Sequence, residues 1–250
     1  MTKIILSGSS GKMGRAVIRT VFDRKDCSIV AGIDKQINES DCFPIFNSAG
    51  KINSDADVII DFSNPSMLDS LLNYATYKKI PIVICTTGFT QAQVDKIKKA
   101  SCLIPIFFSG NMSMGINLLI ELAKKAACAL GTEFNIEILE KHHNQKVDAP
   151  SGTALMIADA IKSTNVKNYE CVFDRHSYRR PRNDNEIGIH AVRAGTIVGE
   201  HEVIFAGKDE LLTISHSAQS KEIFAVGAVN AAIFLLSKSA GLYNMSDLLK

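Results

Sequence analysis

The sequence carries little net charge: Lys and Arg number 28 against 26 Asp and Glu, leaving +2 over 250 residues. So even a balance provides no global field for drawing in nucleic acid or an anionic membrane surface, and any anion site must be local. Long apolar runs are lacking too. The longest, Phe224 to Leu236, is interrupted by Asn230 and falls well short of the ~20 residues that span a bilayer. Met1-Thr2-Lys3 leads straight into Ile4-Ile5-Leu6-Ser7-Gly8, too brief an apolar stretch for a secretory leader, and a cytoplasmic location is expected. Cys27, Cys42, Cys85, Cys102, Cys128 and Cys171 form no CxxC pair and no metal-ligand spacing. Reduced thiols are therefore expected, and no metal. There is no internal repeat and no low-complexity segment.

What is present is a chain 46% hydrophobic and 22% charged, the composition of a globular protein of one large domain or two small ones. Its first part alternates short apolar runs with helical patterns. Ile4-Ile5-Leu6, Ser28 to Ile33, Val58 to Phe62, Ile82 to Cys85 and Ile104 to Phe108 read as buried strands. Between them, Gly14, Val17, Ile18 and Val21 mark one helix face, and Leu68, Leu71, Leu72 and Ala75 another. Asn64-Pro65 supplies an N-cap with Pro at the first helical position, and Gln91 to Ala100 forms a Lys-rich helix. That alternation predicts a parallel sheet covered on both faces.

Past Asn111 the rhythm changes. A long helix over 115–130 precedes a half-buried strand over 134–138, and a second helix starts at Ser151. Strand-like segments at 187–192, 197–205 and 211–215, with turns at Ala194-Gly195 and Gly207-Lys208-Asp209, predict an antiparallel meander. The loop holding Arg175, Arg179, Arg180 and Arg182 reads as solvated, or as a subunit contact. The nearly all-apolar segment 224–237 is expected to be buried against the first sheet. The predicted class is α/β: a Rossmann-like dinucleotide-binding domain built from 1–113 and 217–250, enclosing a central α+β domain over 114–216 with a mixed or antiparallel sheet.

Gly8-Ser9-Ser10-Gly11-Lys12-Met13-Gly14 joins the first strand to the first helix. Glycines there permit a tight turn, bring backbone N–H groups to a pyrophosphate, and let helix pack closely on strand. The spacing is GxxGxxG, weak alone. Asp34 at the end of the second strand strengthens it, since a carboxylate there accepts hydrogen bonds from an adenosine ribose. Asp34 favours NADH, while the adjacent Lys35 offers a partner for the 2′-phosphate of NADPH, so either or both are expected. Cys85-Thr86-Thr87-Gly88 and Ser109-Gly110-Asn111-Met112 follow other strands, where ligands gather in open α/β sheets.

The segment Glu140 to Ala154, EKHHNQKVDAPSGTA, is the most informative. Ser151 is a plausible N-cap, and the N–H groups of Gly152 and Thr153 at the helix start form an anion site. Lys146 nearby offers a fixed cation or a proton. Adjacent His142 and His143 diverge on any regular element and lack a third ligand, which argues against a metal. Ser151 lies outside a GxSxG turn, which argues against a nucleophile.

These residues resemble those of the 4-hydroxy-tetrahydrodipicolinate reductase family. The similarity covers essentially the whole chain and is most specific over His142-His143-Asn144-Gln145-Lys146-Val147-Asp148-Ala149-Pro150-Ser151-Gly152-Thr153-Ala154. Gly8 to Gly14, Cys85 to Phe89, Asn111-Met112-Ser113 and Gly199-Glu200-His201 also match. The resemblance implies hydride transfer from NADH or NADPH to a cyclic, unsaturated imine dicarboxylate in the diaminopimelate–lysine pathway. It implies His142 and Lys146 as proton donors, with His143, Gly152 and Thr153 binding substrate. It places the cofactor on Gly8, Ser9, Ser10, Gly11, Lys12, Met13, Asp34, Lys35, Cys85, Thr86, Thr87, Ser109, Gly110, Asn111 and Met112. A homotetramer joined through the central sheet is also implied, making 114–216 the substrate and oligomerisation domain, with neither nucleic acid nor membrane as partner. The chain departs from the family at His216-Ser217-Ala218, where Arg often follows the histidine; Lys221 stands nearby. Two other readings use the same residues: another two-domain NAD(P)-dependent dehydrogenase, and a dinucleotide-binding sensor without turnover.

Overall fold

β-Branched, apolar runs too short for helices become strands here, and the amphipathic stretches between them become the helices that cover them. The computed structural model describes residues 1–35, 42–177 and 179–250. In chain order, the first part comprises β1 (Thr2–Ser7), α1 (Lys12–Phe22), β2 (Cys27–Ile33), β3 (Ile45–Phe46), β4 (Val58–Asp61), α2 (Leu68–Lys78), β5 (Ile82–Ile84), α3 (Gln91–Ser101) and β6 (Pro105–Phe108). Then come α4 (Met114–Leu130), β7 (Asn135–His142), α5 (Gly152–Lys162), β8 (Glu170–Val172), β9 (Glu186–Arg193), β10 (Gly199–Ala206) and β11 (Leu211–Ala218). The chain closes with α6 (Glu222–Leu235), β12 (Gly241–Tyr243) and α7 (Met245–Leu248). Among the described residues no helix is long and apolar enough to cross a membrane.

Two compact units result, one of Met1–Met114 with Lys221–Lys250, the other Gly115–Ser220. β11 continues pairing with β10 as far as Ala218 opposite Gly199, so the second crossing comes after that strand ends.

The first unit holds a seven-stranded sheet in the order β12-β6-β5-β4-β1-β2-β3, with every pairing parallel. On one face, Ile4, Leu6, Val58, Ile60 and Val83 pack with Val17 of α1 and with Ala228, Val229 and Ala232 of α6. On the other, Ile5, Ile59 and Ile82 pack with Leu71 and Leu72 of α2 and Ile97 of α3. The apolar 224–237 segment is thus a covering helix of this sheet, as its composition predicts. Strand order reverses at β1, so the carboxyl ends of β1 and β4 frame the crevice where such sheets bind ligands.

The second unit holds a five-stranded sheet in the order β11-β10-β7-β9-β8. Ile116, Leu119 and Ala123 of α4 and Ala154, Ile157 and Ile161 of α5 pack on Ile136, Ile138, Ile189, Val203 and Phe205. The sheet is mixed: β10 runs antiparallel to β7 and β11, while β9 runs parallel to β7 and β8. This corrects the expected meander. β7 lies between β9 and β10, so the Ala194-Gly195 turn does not join neighbours. β7 also runs on to His142 instead of ending at Ile138, because buried pairing at Glu140 keeps it in the sheet.

The arginine-rich loop is not simply solvated. Arg175 and Arg180 meet Glu186, at 2.7 and 3.2 Å, and that carboxylate is 1% exposed. The loop's charge neutralises a buried acid at the start of β9. Tyr178 within this loop lies outside the described residues.

Candidate active site

In the first unit, the candidate residues follow the carboxyl ends of β1, β2, β4, β5 and β6, which parallel pairing brings to one edge. β1 ends at Ser7, and Gly8 takes φ +79°, where a Cβ would stand 2.5 Å from the Phe62 carbonyl oxygen. A Cβ on Gly14 would lie 2.2 Å from the Gly8 carbonyl oxygen. Both positions demand glycine, and the close approach of α1 to the turn follows from them. Gly11 caps α1 without a side-chain hydrogen bond, so the first N–H groups of that helix have no side-chain cap. Ser10 N–H donates to Asp34 Oδ2 at 3.0 Å, tying the carboxylate at the end of β2 to the turn. Ser7, Gly8, Gly11, Asp34, Lys35 and Phe62 help line a cleft of about 320 Å³. Lys35 and Lys12 are exposed, Met13 is half-buried and Ser9 is buried. A cradle that any side chain would fill, beside a helix start and a carboxylate, fits the diphosphate and ribose of a dinucleotide.

Asp61, at the end of β4, escapes sequence reasoning because it reads as the last residue of a strand. It is 1% exposed and accepts hydrogen bonds from Ser63 N–H, Ser63 Oγ and Thr86 Oγ1 at 3.1, 2.5 and 2.8 Å. Burial pushes its carboxyl up, against those bonds. Thr86 is buried on this carboxylate and Cys85 in the apolar core, leaving Thr87 as the exposed side chain of that loop. After β6, Ser109 Oγ donates to the Asn111 carbonyl at 2.9 Å, and Ser113 N–H donates to Asn111 Oδ1 at 2.9 Å. Gly110 is exposed, while Met112 is a core residue whose carbonyl abuts Gly227 of α6.

In the second unit, β7 carries Ile136, Ile138 and Glu140 onto the helix-covered face. Cross-strand pairing sets Glu140 opposite His201 and His142 opposite Arg193. Glu140 is fully buried and accepts four hydrogen bonds: two from Arg193 at 2.7 and 2.8 Å, one from Ser151 N–H at 3.0 Å and one from His142 Nδ1 at 2.6 Å. Burial pushes its carboxyl up, and those partners outweigh burial and hold it below the ordinary value. For His142, burial lowers the pKa; the Glu140 bond and charge oppose that, and the Lys146 and Arg193 cations add to it.

Ser151 caps α5, its Oγ accepting from Ala154 N–H at 3.2 Å. Gly152 is exposed and Thr153 half-buried in the first turn, placing a helix N-terminus beside the histidines. Lys146 Nζ lies 2.7 and 2.9 Å from the Asp148 carboxylate oxygens, and it holds that carboxyl below its ordinary range. His143 is half-buried on the segment leaving β7. The structure thus gathers His142, Lys146, Ser151 and Glu140 through named bonds or charges, and sets His143, Gly152 and Thr153 on the same short segment. Among the described residues no group of three His, Cys, Asp or Glu could hold a metal ion.

His201 is a further buried group. It lies 4% exposed, its ring centroid 5.2 Å from that of His142 and its Nε2 3.2 Å from Ser151 Oγ. Burial, then the neighbouring His142, lowers its pKa to about 4. The unfolded chain binds a proton at this residue near 6.5, so stability is complete above that pH and declines as pH falls toward 4. At about 1.36 kcal/mol per unit the decline amounts to roughly 3 kcal/mol. Urea midpoints at pH 7.5 and pH 4.5 will show it, with a smaller difference in His201→Gln; equal slopes would remove His201 as the cause. His216, opposite His201 on β11, packs its ring against Gly115 at the start of α4, and the neighbouring Ser217 is exposed.

Comparison with known proteins adds the family. A model described as "Dihydrodipicolinate reductase, N-terminus" matches residues 2–112, and one described as "Dihydrodipicolinate reductase, C-terminus" matches 115–249. The 4-hydroxy-tetrahydrodipicolinate reductase of Clostridium novyi is 49% identical over 100% of this chain and 99% of its own. That of Caldanaerobacter subterraneus subsp. tengcongensis is 50% identical over 100% and 99%. Among solved structures, a dipicolinate-bound dihydrodipicolinate reductase from Paenisporosarcina sp. TG-14 superposes with TM-score 0.82, covering 98% of this chain and 97% of its own at 24% identity. A diaminopimelate dehydrogenase from C. glutamicum shares the fold at TM-score 0.57 and 11% identity, over 100% and 95%. With both halves matched in order and full-length relatives this similar, the chain belongs to the dihydrodipicolinate reductase family.

Proposed function

We propose that this chain reduces 4-hydroxy-tetrahydrodipicolinate to tetrahydrodipicolinate, using NADH or NADPH, in diaminopimelate and lysine biosynthesis. The observation that carries the reading is the arrangement around β7 and α5: a histidine oriented by a buried carboxylate, a lysine on the same segment, and a helix N-terminus capped by Ser151. A cyclic imine dicarboxylate carries two negative charges and a basic nitrogen, and these groups complement both. The named relatives carry the same activity in their names.

Bound NAD(P)H supplies the hydride. As a hydride and a proton enter the ring system and the hydroxyl leaves as water, electron density builds on the ring nitrogen and the conjugated carbons. His142 and Lys146 stand as proton donors for that density, an effect worth about 10²–10⁴-fold. His143 and the backbone of Gly152 and Thr153 hold a substrate carboxylate. Lys146 exchanges Asp148 for the substrate when it binds. The cofactor takes the Gly8–Met13 turn, with Asp34 and Lys35 at its ribose and the loops over 85–87 and 109–112 at its other end. We further assign the enzyme to the cytoplasm as a homotetramer, associating through the face of the second sheet opposite α4 and α5, where Leu139 and Ile204 are half-buried and Leu211 is exposed.

The test is cofactor oxidation with substrate generated from pyruvate and aspartate semialdehyde by the upstream synthase, with NADH and NADPH in separate runs. Synthase-dependent oxidation is expected. Lys35→Ala is expected to raise the KM for NADPH about tenfold, the loss of one charge-assisted contact, and to leave that for NADH unchanged. No oxidation, with cofactor still bound, would return the chain to another dehydrogenase or to a sensor.

A further inference from the structure

We propose that Glu140 is the positioning residue of this site, a buried carboxylate that fixes the His142 ring and the start of α5 together and leaves Nε2 as the reactive nitrogen of His142. The proposal rests on the reductase reading above for what His142 does, and on geometry alone for how Glu140 holds it.

The alternation along β7 puts isoleucine at 136 and 138 on the covered face, and a third apolar side chain would continue that pattern. Glutamate stands there instead. A buried, unpaired carboxylate is strongly disfavoured, yet here each oxygen receives two donors. Oε1 takes Arg193 and the Ser151 N–H, while Oε2 takes Arg193 and His142 Nδ1. An ionised carboxylate only accepts, so the proton on that edge of His142 sits on Nδ1 and Nε2 becomes the reactive nitrogen. That nitrogen lies 3.1 Å from where a Cβ on Gly199 would stand, so glycine at 199 leaves the ring its place. The same carboxylate pins Ser151, the cap from which Gly152 and Thr153 follow. Donor and anion site are therefore placed by one side chain.

Charge gives the second half of the argument. Around His142 stand Glu140 on its own strand, Lys146 on the following segment, Arg193 on β9 and His201 on β10. Burial and the two cations favour the neutral ring and outweigh Glu140, which favours the imidazolium, so His142 lies below its ordinary value. Removing its charge frees those opposing influences.

The experiment compares Glu140→Gln, which keeps the size and loses the charge, with Glu140→Asp, which keeps the charge. In Glu140→Gln the alkaline limb of the kcat/KM profile is expected to move down by about one pH unit or more, a tenfold loss on that limb. The loss is greatest on that limb, while NADH affinity stays near wild type. Glu140→Asp returns the limb toward wild type. In parallel, nitrogen chemical shifts of labelled histidines in the resting protein follow His142 directly, with Nδ1 protonated in the wild type and a lower titration midpoint in Glu140→Gln. A uniform loss across pH with an unmoved limb, or an unchanged His142 midpoint, overturns the proposal. Absence of turnover in the wild type would sink the reductase reading separately, and the histidine titration would still decide whether Glu140 governs His142.

Discussion

Replacing Lys146 with alanine is expected to lower kcat about 10²–10⁴-fold, the range of a lost general acid, with NADH affinity unchanged. The separation follows from the architecture. Lys146 belongs to the unit of Gly115–Ser220, whereas the glycine turn and Asp34 belong to the unit of Met1–Met114 with Lys221–Lys250. Its side chain is only 21% exposed and is engaged by Asp148 at 2.7 Å, the partner it exchanges for substrate. Lys146→Arg separates two roles, because guanidinium keeps the charge and does not release a proton in this pH range. Recovery of KM without kcat in Lys146→Arg assigns proton donation, and recovery of both assigns charge alone. Steady-state kinetics with direct NADH titration measures this. A matching loss of cofactor affinity in Lys146→Ala would take Lys146 out of the chemistry.

Gly14→Ala is expected to produce the opposite pattern. Its Cβ would meet backbone, the Gly8 carbonyl at 2.2 Å and the Ser9 carbonyl at 2.6 Å, so no side chain can rotate away and α1 must shift from β1. Overpacking of this kind costs about 1–3 kcal/mol or more. For a chain of this size that corresponds to a drop in Tm of roughly 3–10 °C. The shift also displaces the N–H groups of the turn, and NADH affinity is expected to fall at least about tenfold, the value of one or two charge-assisted hydrogen bonds. Wild-type Tm together with wild-type NADH affinity would contradict the close-packed turn as the cofactor cradle.

Much of the first unit is legible in the sequence because its signals are local. Each parallel strand is a short apolar run, each covering helix shows its own apolar face, and the glycines announce the turn between β1 and α1. What escaped depends on residues far apart. β7 reads as ending at Ile138 because Glu140, Lys141 and His142 follow, and the partner that lets Glu140 stay buried is Arg193, 53 residues away. The order of β9, β7 and β10 is likewise set by pairings between distant segments, while the turn between β9 and β10 resembles a hairpin. β3, β8 and β12 are two or three residues long, too short to show a period. His142, Lys146 and the Ser151 cap were legible as a motif; that a buried carboxylate ties two of them together was not.

The last segment of the chain has a consequence for synthesis. α6 covers one face of the first sheet, with Ala228, Val229 and Ala232 against Ile4, Leu6 and Ile60, and β12 forms the edge strand beside β6. On the ribosome, translation runs from the amino terminus and domains fold as units. The inserted unit, continuous in sequence, has its whole core before α6 is made. Of the two helices on that face, α1 emerges early, and the part that α6 covers stays open until after the inserted unit is made. The half of the molecule that begins first is thus completed after the half inserted into it.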